Sequence, residues 1–295
     1  MIIKNPVIII GAERSGTTLL YSLLSNHKDF YWFSQLDSIF PNSPYFTSYL
    51  RRFVHLFGKG KFISKKGTIS KSKGFNTPTE CIPYWRNIFG FGTEANYRIE
   101  DDCFDHNFAS SSQVEAINND IALRMRILKK SRLLLKQPGF SLKTKYFNSL
   151  FSKPLFVVIY RNFNDNLISM VNAKKASKEK FWGTKIPGWR NYLNHSHIEQ
   201  GLIQISTVYR SIKEDLELID PESERTLYVK YEELLENPHD KLFSILKFCK
   251  MDEDPVFNYG SDFYEGISLK RTGYKIDLTE KQIEIIKVTE RLFNK

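Results

Sequence analysis

The sequence predicts an α/β protein, one domain over residues 1–295 with a central parallel sheet between two layers of helices. Three observations carry this. Short apolar runs recur at Val7–Ile10, Leu133–Leu135, Leu155–Tyr160 and Leu227–Tyr231. Stretches with apolar residues three and four apart separate or follow them, the period of amphipathic helices. The first run ends in a glycine-bearing loop that leads into a helix start, "VIIIGAERSGTTLL" at residues 7–20. Strands that alternate with helices pair in parallel, because each connection must cross a face of the sheet.

Several elements are legible from their ends. From His197 to Leu218, the residues Leu202, Ile205, Tyr209, Ile212 and Leu216 form one apolar stripe, the mark of a long amphipathic helix. Asn237-Pro238 sets proline in a first helical turn ahead of "HDKLFSILKFC", where Leu242, Ile245, Leu246 and Cys249 share a face. "TEKQ" at Thr279–Gln282 is a capping box that opens the last helix. "TPTE" at Thr77–Glu80 reads the same way, with Pro78 in the first turn.

The chain carries 43 lysines and arginines against 33 acids, a net charge of +10. That excess speaks to anionic ligands and surfaces rather than to fold. Six lysines and no acid fall in "GKGKFISKKGTISKSKG", Gly58–Gly74. This segment reads as a solvated loop, or as a lid that meets an anionic acceptor or a lipid surface. Lysines gathered in one loop do not make the continuous basic face that nucleic acid requires, so nucleic acid is not an expected partner. Cys81, Cys103 and Cys249 are odd in number and lack metal-site spacing, which suits a reducing compartment. "MIIKNP" offers no apolar leader or span, so the expected location is the cytoplasm, with at most a peripheral contact with a membrane surface.

The chemistry concentrates in the first loop. A strand-loop-helix unit turns backbone N–H groups toward one point, and the helix dipole adds positive potential there. Gly11 and Gly16 permit the tight turn, Thr17 and Thr18 add hydroxyls, and Arg14 adds a permanent cation. Such a site favours a phosphate or a phosphosulfate. A nucleoside triphosphate loop would carry lysine where Thr17 stands, and an acid at the end of another strand to hold magnesium. Here "LFVVIY" runs into Arg161. An arginine at a strand end serves a second anion, so no metal is expected. A kinase or nucleoside triphosphatase is the competing reading, and would have to recruit Lys136 or Glu232 from elsewhere.

The motifs have a family resemblance. "GAERSGTTLLYSLLSNH" resembles the 5′-phosphosulfate loop of the sulfotransferases that use 3′-phosphoadenosine 5′-phosphosulfate (PAPS), and "PLFVVIYRNFNDNLISM" is similar to their 3′-phosphate strand and helix. "LLLKQP" with Lys136, "LYVKYEELLENP" and "LKRTGYK" resemble three further segments, so the likeness runs from Val7 to about Lys275. Residues 33–127 match poorly, where such enzymes build their acceptor pockets. The resemblance implies a fold like that of the P-loop nucleotide-binding proteins, and a soluble, bacterial-type enzyme that sulfates a hydroxyl or amine. A saccharide or glycolipid is the implied acceptor, and 3′-phosphoadenosine 5′-phosphate (PAP) the implied product. Arg14, Ser15, Gly16, Thr17 and Thr18 match the positions that bind the 5′ end. Arg161 and Ser169 match the 3′-phosphate pair, Tyr231 a residue near adenine, and Arg271 and Gly273 a basic loop that closes over the same phosphate.

The general base is the open position. Relatives place a carboxylate some twenty residues after the loop, and in "DFYWFSQLDSIFP" that spacing falls on Gln35, which cannot accept a proton. Asp37, two residues on, is the first candidate, Glu80 the second and His27 the third. A fold that binds donor without turning it over is the reading that Gln35 keeps open. Tyr45, Phe46, Tyr49, Phe53, Tyr84 and Trp85 are either core or a stacking surface for a sugar.

Overall fold

The computed structural model describes residues 2–54, 77–89, 108–136, 138–253 and 278–293. Gly58–Gly74, Cys103, Arg271 and Gly273 lie outside them. Five parallel strands form one sheet in the order β2-β3-β1-β4-β5. The strands are β1 (Val7–Ile10), β2 (Phe30–Tyr31), β3 (Arg132–Lys136), β4 (Leu155–Tyr160) and β5 (Thr226–Lys230). β1 is central, with Val7 in register with Leu134 on one side and Leu155 on the other. The two-residue β2 was too short to give a sequence signal.

Eleven α-helices follow in chain order among the described residues: α1 (Thr17–Leu24), α2 (Gln35–Ile39), α3 (Pro44–Val54), α4 (Ile82–Phe89), α5 (Ser111–Ile127), α6 (Thr144–Leu150), α7 (Phe163–Ala176), α8 (His197–Ile219), α9 (Tyr231–Glu236), α10 (Pro238–Phe248) and α11 (Glu280–Glu290). Strand alternation sends neighbouring side chains to opposite faces. Ile8 and Ile10 of β1 therefore join one core with Trp85, Phe147, Leu167, Ile205 and Ile212, under α4, α6, α7 and α8. Val7 and Ile9 join the other with Leu20, Leu23, Leu242 and Ile245, under α1 and α10. Both faces are covered, which is why these strands read as unbroken apolar runs. Each fully buried aliphatic side chain of this kind contributes roughly 1.5–3 kcal/mol.

Capping boxes open α8 at Ser196–Glu199 and α11 at Thr279–Gln282, and Pro238 stands in the first turn of α10. The expected helix start at "TPTE" is corrected. Pro78 forms an isolated bridge with Ser34, and the helix begins at Ile82. Glu80 is thereby released from a capping role.

The six aromatics divide. Tyr84 and Trp85 are core, edge-on to each other, with Trp85 edge-on and Tyr84 tilted against Phe33. Tyr45, Phe46, Tyr49 and Phe53 are more than half exposed on α3.

Candidate active site

Four strand ends converge at one edge of the sheet, the carboxyl edge where open parallel sheets bind ligands. β1 delivers the loop 11–16, β3 ends in Lys136, β4 hands on to Arg161, and β5 to Tyr231. The loop is packed tightly at two glycines. A Cβ on Gly11 would lie 2.3 Å from the Ile159 carbonyl oxygen, and one on Gly16 2.3 Å from the Tyr231 ring. Gly16 also has φ of 106°, in the left-handed region that glycine occupies freely. Ser141, which the motifs did not flag, clamps the loop. Its hydroxyl accepts from the Gly11 N–H and donates to the Gly11 carbonyl, both at 2.9 Å.

Arg14 sits at φ 66°, a strained backbone for a residue with a Cβ. Its guanidinium donates through Nε to Ser169 Oγ on α7 at 3.0 Å. The Asn166 amide, with its nitrogen turned to the loop, donates to the Glu13 and Arg14 carbonyls at 2.9 and 3.2 Å. Arg161 reaches the Arg14 carbonyl at 3.4 Å and lies 4.8 Å above the Tyr231 ring. Burial and the neighbouring Arg161 cation lower the Arg14 pKa, with Tyr231 acting in the opposite sense. Two cations held this close repel, and an anion between them would relieve the repulsion. The Arg161 Nε is buried and has no hydrogen-bond partner among the described residues.

A third cation comes from β3. Lys136 is buried, and its ammonium donates to Thr18 Oγ1 at 3.0 Å and forms an ion pair with Glu80. Glu80 is part-exposed. Lysine absent from the loop is therefore present beside it, contributed by the neighbouring strand. Spacing within the loop could not reveal this, because β1 and β3 are over a hundred residues apart and meet only through sheet register.

The other two base candidates stand elsewhere. Asp37 is fully buried in a capping box at the start of α2. Its Oδ2 accepts from Ser34 N, Ser34 Oγ and Arg51 Nη1 at 2.7, 2.7 and 3.1 Å, and its Oδ1 from Arg124 Nη1 at 2.6 Å. Both oxygens are committed to structure, so Asp37 is corrected to a structural acid. His27 is also buried, beyond the carboxyl end of α1, whose amino end is the loop. Its Nδ1 accepts from Asp29 N at 3.2 Å, and its Nε2 lies 3.0 Å from the Asp252 carbonyl. That is an anchor between segments. Gln35 is exposed at the first turn of α2.

Glu13 marks a contact that the motifs did not suggest. It is buried and accepts from both the N–H and the hydroxyl of Thr184. The segment around Thr184 is itself tied down: Gln204 donates to the Trp182 and Thr184 carbonyls at 3.1 and 2.8 Å, and Lys174 to Trp182 at 2.9 Å. Burial pushes the Lys174 ammonium down to about 8, partly countered by Glu13. Burial pushes the Cys81 and Cys249 thiols up to about 12, so neither is a thiolate near neutral pH. Among the described residues, no cluster of three or more His, Cys, Asp or Glu could hold a metal ion, and no helix is long and apolar enough to cross a membrane.

A parallel α/β sheet with a glycine loop, three cations and a carboxylate at its carboxyl edge defines a protein built to receive an anionic ligand. The model of the sulfotransferase family matches residues 6–255, and the chain belongs to that family. It is a sulfotransferase. Sulfotransferase STF9 from Mycobacterium avium superposes with a TM-score of 0.60 at 14% identity, covering 99% of this chain and 76% of that one. Sulfotransferase STF1 from Mycobacterium tuberculosis H37Rv gives 0.55 at 14% identity, with the same coverage of the two chains. At that identity the likeness concerns fold. No curated protein sequence matches the chain significantly.

Proposed function

We propose that this sulfotransferase transfers a sulfuryl group from PAPS to a hydroxyl or amine, releasing PAP. A saccharide or glycolipid is the acceptor class and the cytoplasm the working compartment. The observation that carries the reading is the convergence of Arg14, Arg161 and Lys136 on one glycine loop. The residues present fit the donor: a tight loop that its two glycines let pack against Ile159 and Tyr231, and a buried guanidinium nitrogen with no partner among the described residues.

When bound, PAPS supplies the sulfuryl group and the bisphosphate leaving group. The backbone N–H groups around Ser15 and Gly16, with the hydroxyls of Thr17 and Thr18, bind the 5′ end. Arg14 neutralises the charge that builds on the departing phosphate. A preorganised donor at such a point is worth about 10²–10³ in rate. Arg161 and Ser169 hold the 3′-phosphate, with Arg161 suited to bidentate contact. Tyr231, packed on Gly16 beneath Arg161, borders the adenine side.

Glu80 is the general base. It pairs with Lys136, whose ammonium also donates to the Thr18 hydroxyl. The acceptor oxygen bonds to sulfur as the sulfur–oxygen bond to the 5′-phosphate breaks, and the acceptor proton passes to a Glu80 oxygen. Lys136 keeps that carboxylate oriented toward the cradle.

The test is a titration of the purified protein with PAP, ADP and ATP, with and without magnesium, read as thermal stability. A ligand at a hundredfold its Kd stabilises by about 2.7 kcal/mol. A shift with PAP that ignores magnesium is expected. A magnesium-dependent shift with ATP alone would overturn the reading in favour of a kinase.

A further inference from the structure

Helix α3 is built inside out. Its buried arc carries Thr47, Ser48 and Arg51, each at most 2% exposed. Its outer arc carries Tyr45, Phe46 and Tyr49, exposed by 60, 53 and 58%. At 100° per residue these three fall within a third of the helix circumference. Ordinary surface helices do the reverse, since apolar area gains by leaving water. The inward polar face has its own explanation: Arg51 pairs with buried Asp37, and Thr47 accepts from Arg124 at 2.9 Å. On the outward aromatic face Phe46 meets the edge of Phe40 at 5.3 Å, a ring that is itself exposed, and this contact leaves all three rings open to water.

Cations border one edge of this face. Tyr45 lines a groove of about 810 Å³ together with Ile2, Lys4, Arg126 and Lys130. Ile2, Lys4 and Arg126 are exposed. The acid in the groove, Asp120, is already paired with Arg124 at 2.8 Å. A helix face of exposed aromatics, bordered at Tyr45 by the exposed Lys4 and Arg126, matches the interface of an anionic bilayer in both respects. Amphipathic rings settle at headgroup depth, and cations are drawn by the surface potential.

We propose that the outer face of α3, with the Lys4–Arg126 groove beside it, docks on an anionic lipid surface. Ring insertion and headgroup attraction act together, as they do for interfacial helices. The face is formed by α3, α5 and the residues ahead of β1, and uses none of the groups assigned to the donor site, so it stands independently of the sulfuryl-transfer reading.

The test is co-sedimentation with vesicles of phosphatidylglycerol and phosphatidylcholine in equal parts, against vesicles of phosphatidylcholine alone. Two variants accompany the wild type: Tyr45→Ser/Phe46→Ser/Tyr49→Ser and Lys4→Glu/Arg126→Glu. Every substitution is at an exposed site, and far-ultraviolet circular dichroism checks that each variant is folded. Wild type is expected to pellet with the anionic vesicles and to be released by salt. Partitioning should fall about fivefold for each cation removed, and the aromatic variant should lose binding in low salt as well. The proposal is overturned if wild type stays in the supernatant, if either variant pellets as wild type does, or if neutral vesicles bind equally. It is also overturned if sedimentation velocity shows a dimer that the aromatic variant abolishes, because a second copy would then be the partner of this face.

Discussion

Lys136 Nζ bridges two segments that sequence keeps far apart, pairing with Glu80 while donating to Thr18 Oγ1 at 3.0 Å. A carboxylate tied to the loop in this way is where an acceptor proton would go. Glu80→Gln should lower kcat by about 10²–10⁴, the usual contribution of a general base. PAP binding should persist, because the amide keeps the shape and the donor cations remain. Steady-state kinetics beside a PAP titration separates the two effects. Undiminished kcat would remove Glu80 from the reaction.

Arg161 faces a different part of the site. Arg161→Ala should weaken PAP binding by at least the roughly 1.5–3 kcal/mol of a hydrogen bond to a charged group, and AMP binding much less. Calorimetric titration of both ligands is the check. Equal losses would mean that Arg161 does not read the 3′-phosphate.

Asp37 is predicted to matter for stability and not for proton transfer. Asp37→Asn leaves Arg51 and Arg124 buried without their shared anion. Breaking a buried pair from one side costs about 3–5 kcal/mol. Urea denaturation should show the loss, while any folded fraction keeps its activity per molecule. A variant of wild-type stability and no activity would restore Asp37 to the site.

Lys174 sets a pH dependence. Its folded pKa, about 8, lies below its ordinary 10.5 because it is buried. The unfolded chain therefore binds more protons between these values, so the Lys174 contribution to stability rises as pH increases from about 8 toward 10.5 and is at its least below 8. Compared at several pH values, wild type should gain stability over this window relative to Lys174→Met. A relative loss with rising pH would contradict the depressed pKa.

Much of this protein was legible in its sequence, because local chemistry and local pattern coincide there. Four strands, the long helix at His197, the proline start of α10 and the capping box of α11 each depend on neighbours within a few turns. The glycine loop, with Arg14 and the threonines, was likewise visible as a contiguous stretch. The sequence also carried the family resemblance.

Tertiary structure alone decided what depends on distant residues meeting. "TPTE" satisfies a local capping rule, yet Pro78 bridges to Ser34 and Glu80 turns to Lys136, since pairing an otherwise buried ammonium outweighs a cap. Asp37 resembles a displaced base by spacing, and becomes a structural acid only when Arg51 and Arg124 arrive from α3 and α5. The inverted face of α3 follows from the same event. The charge that Asp37 needs pulls the polar side of that helix inward, and leaves its aromatics facing out.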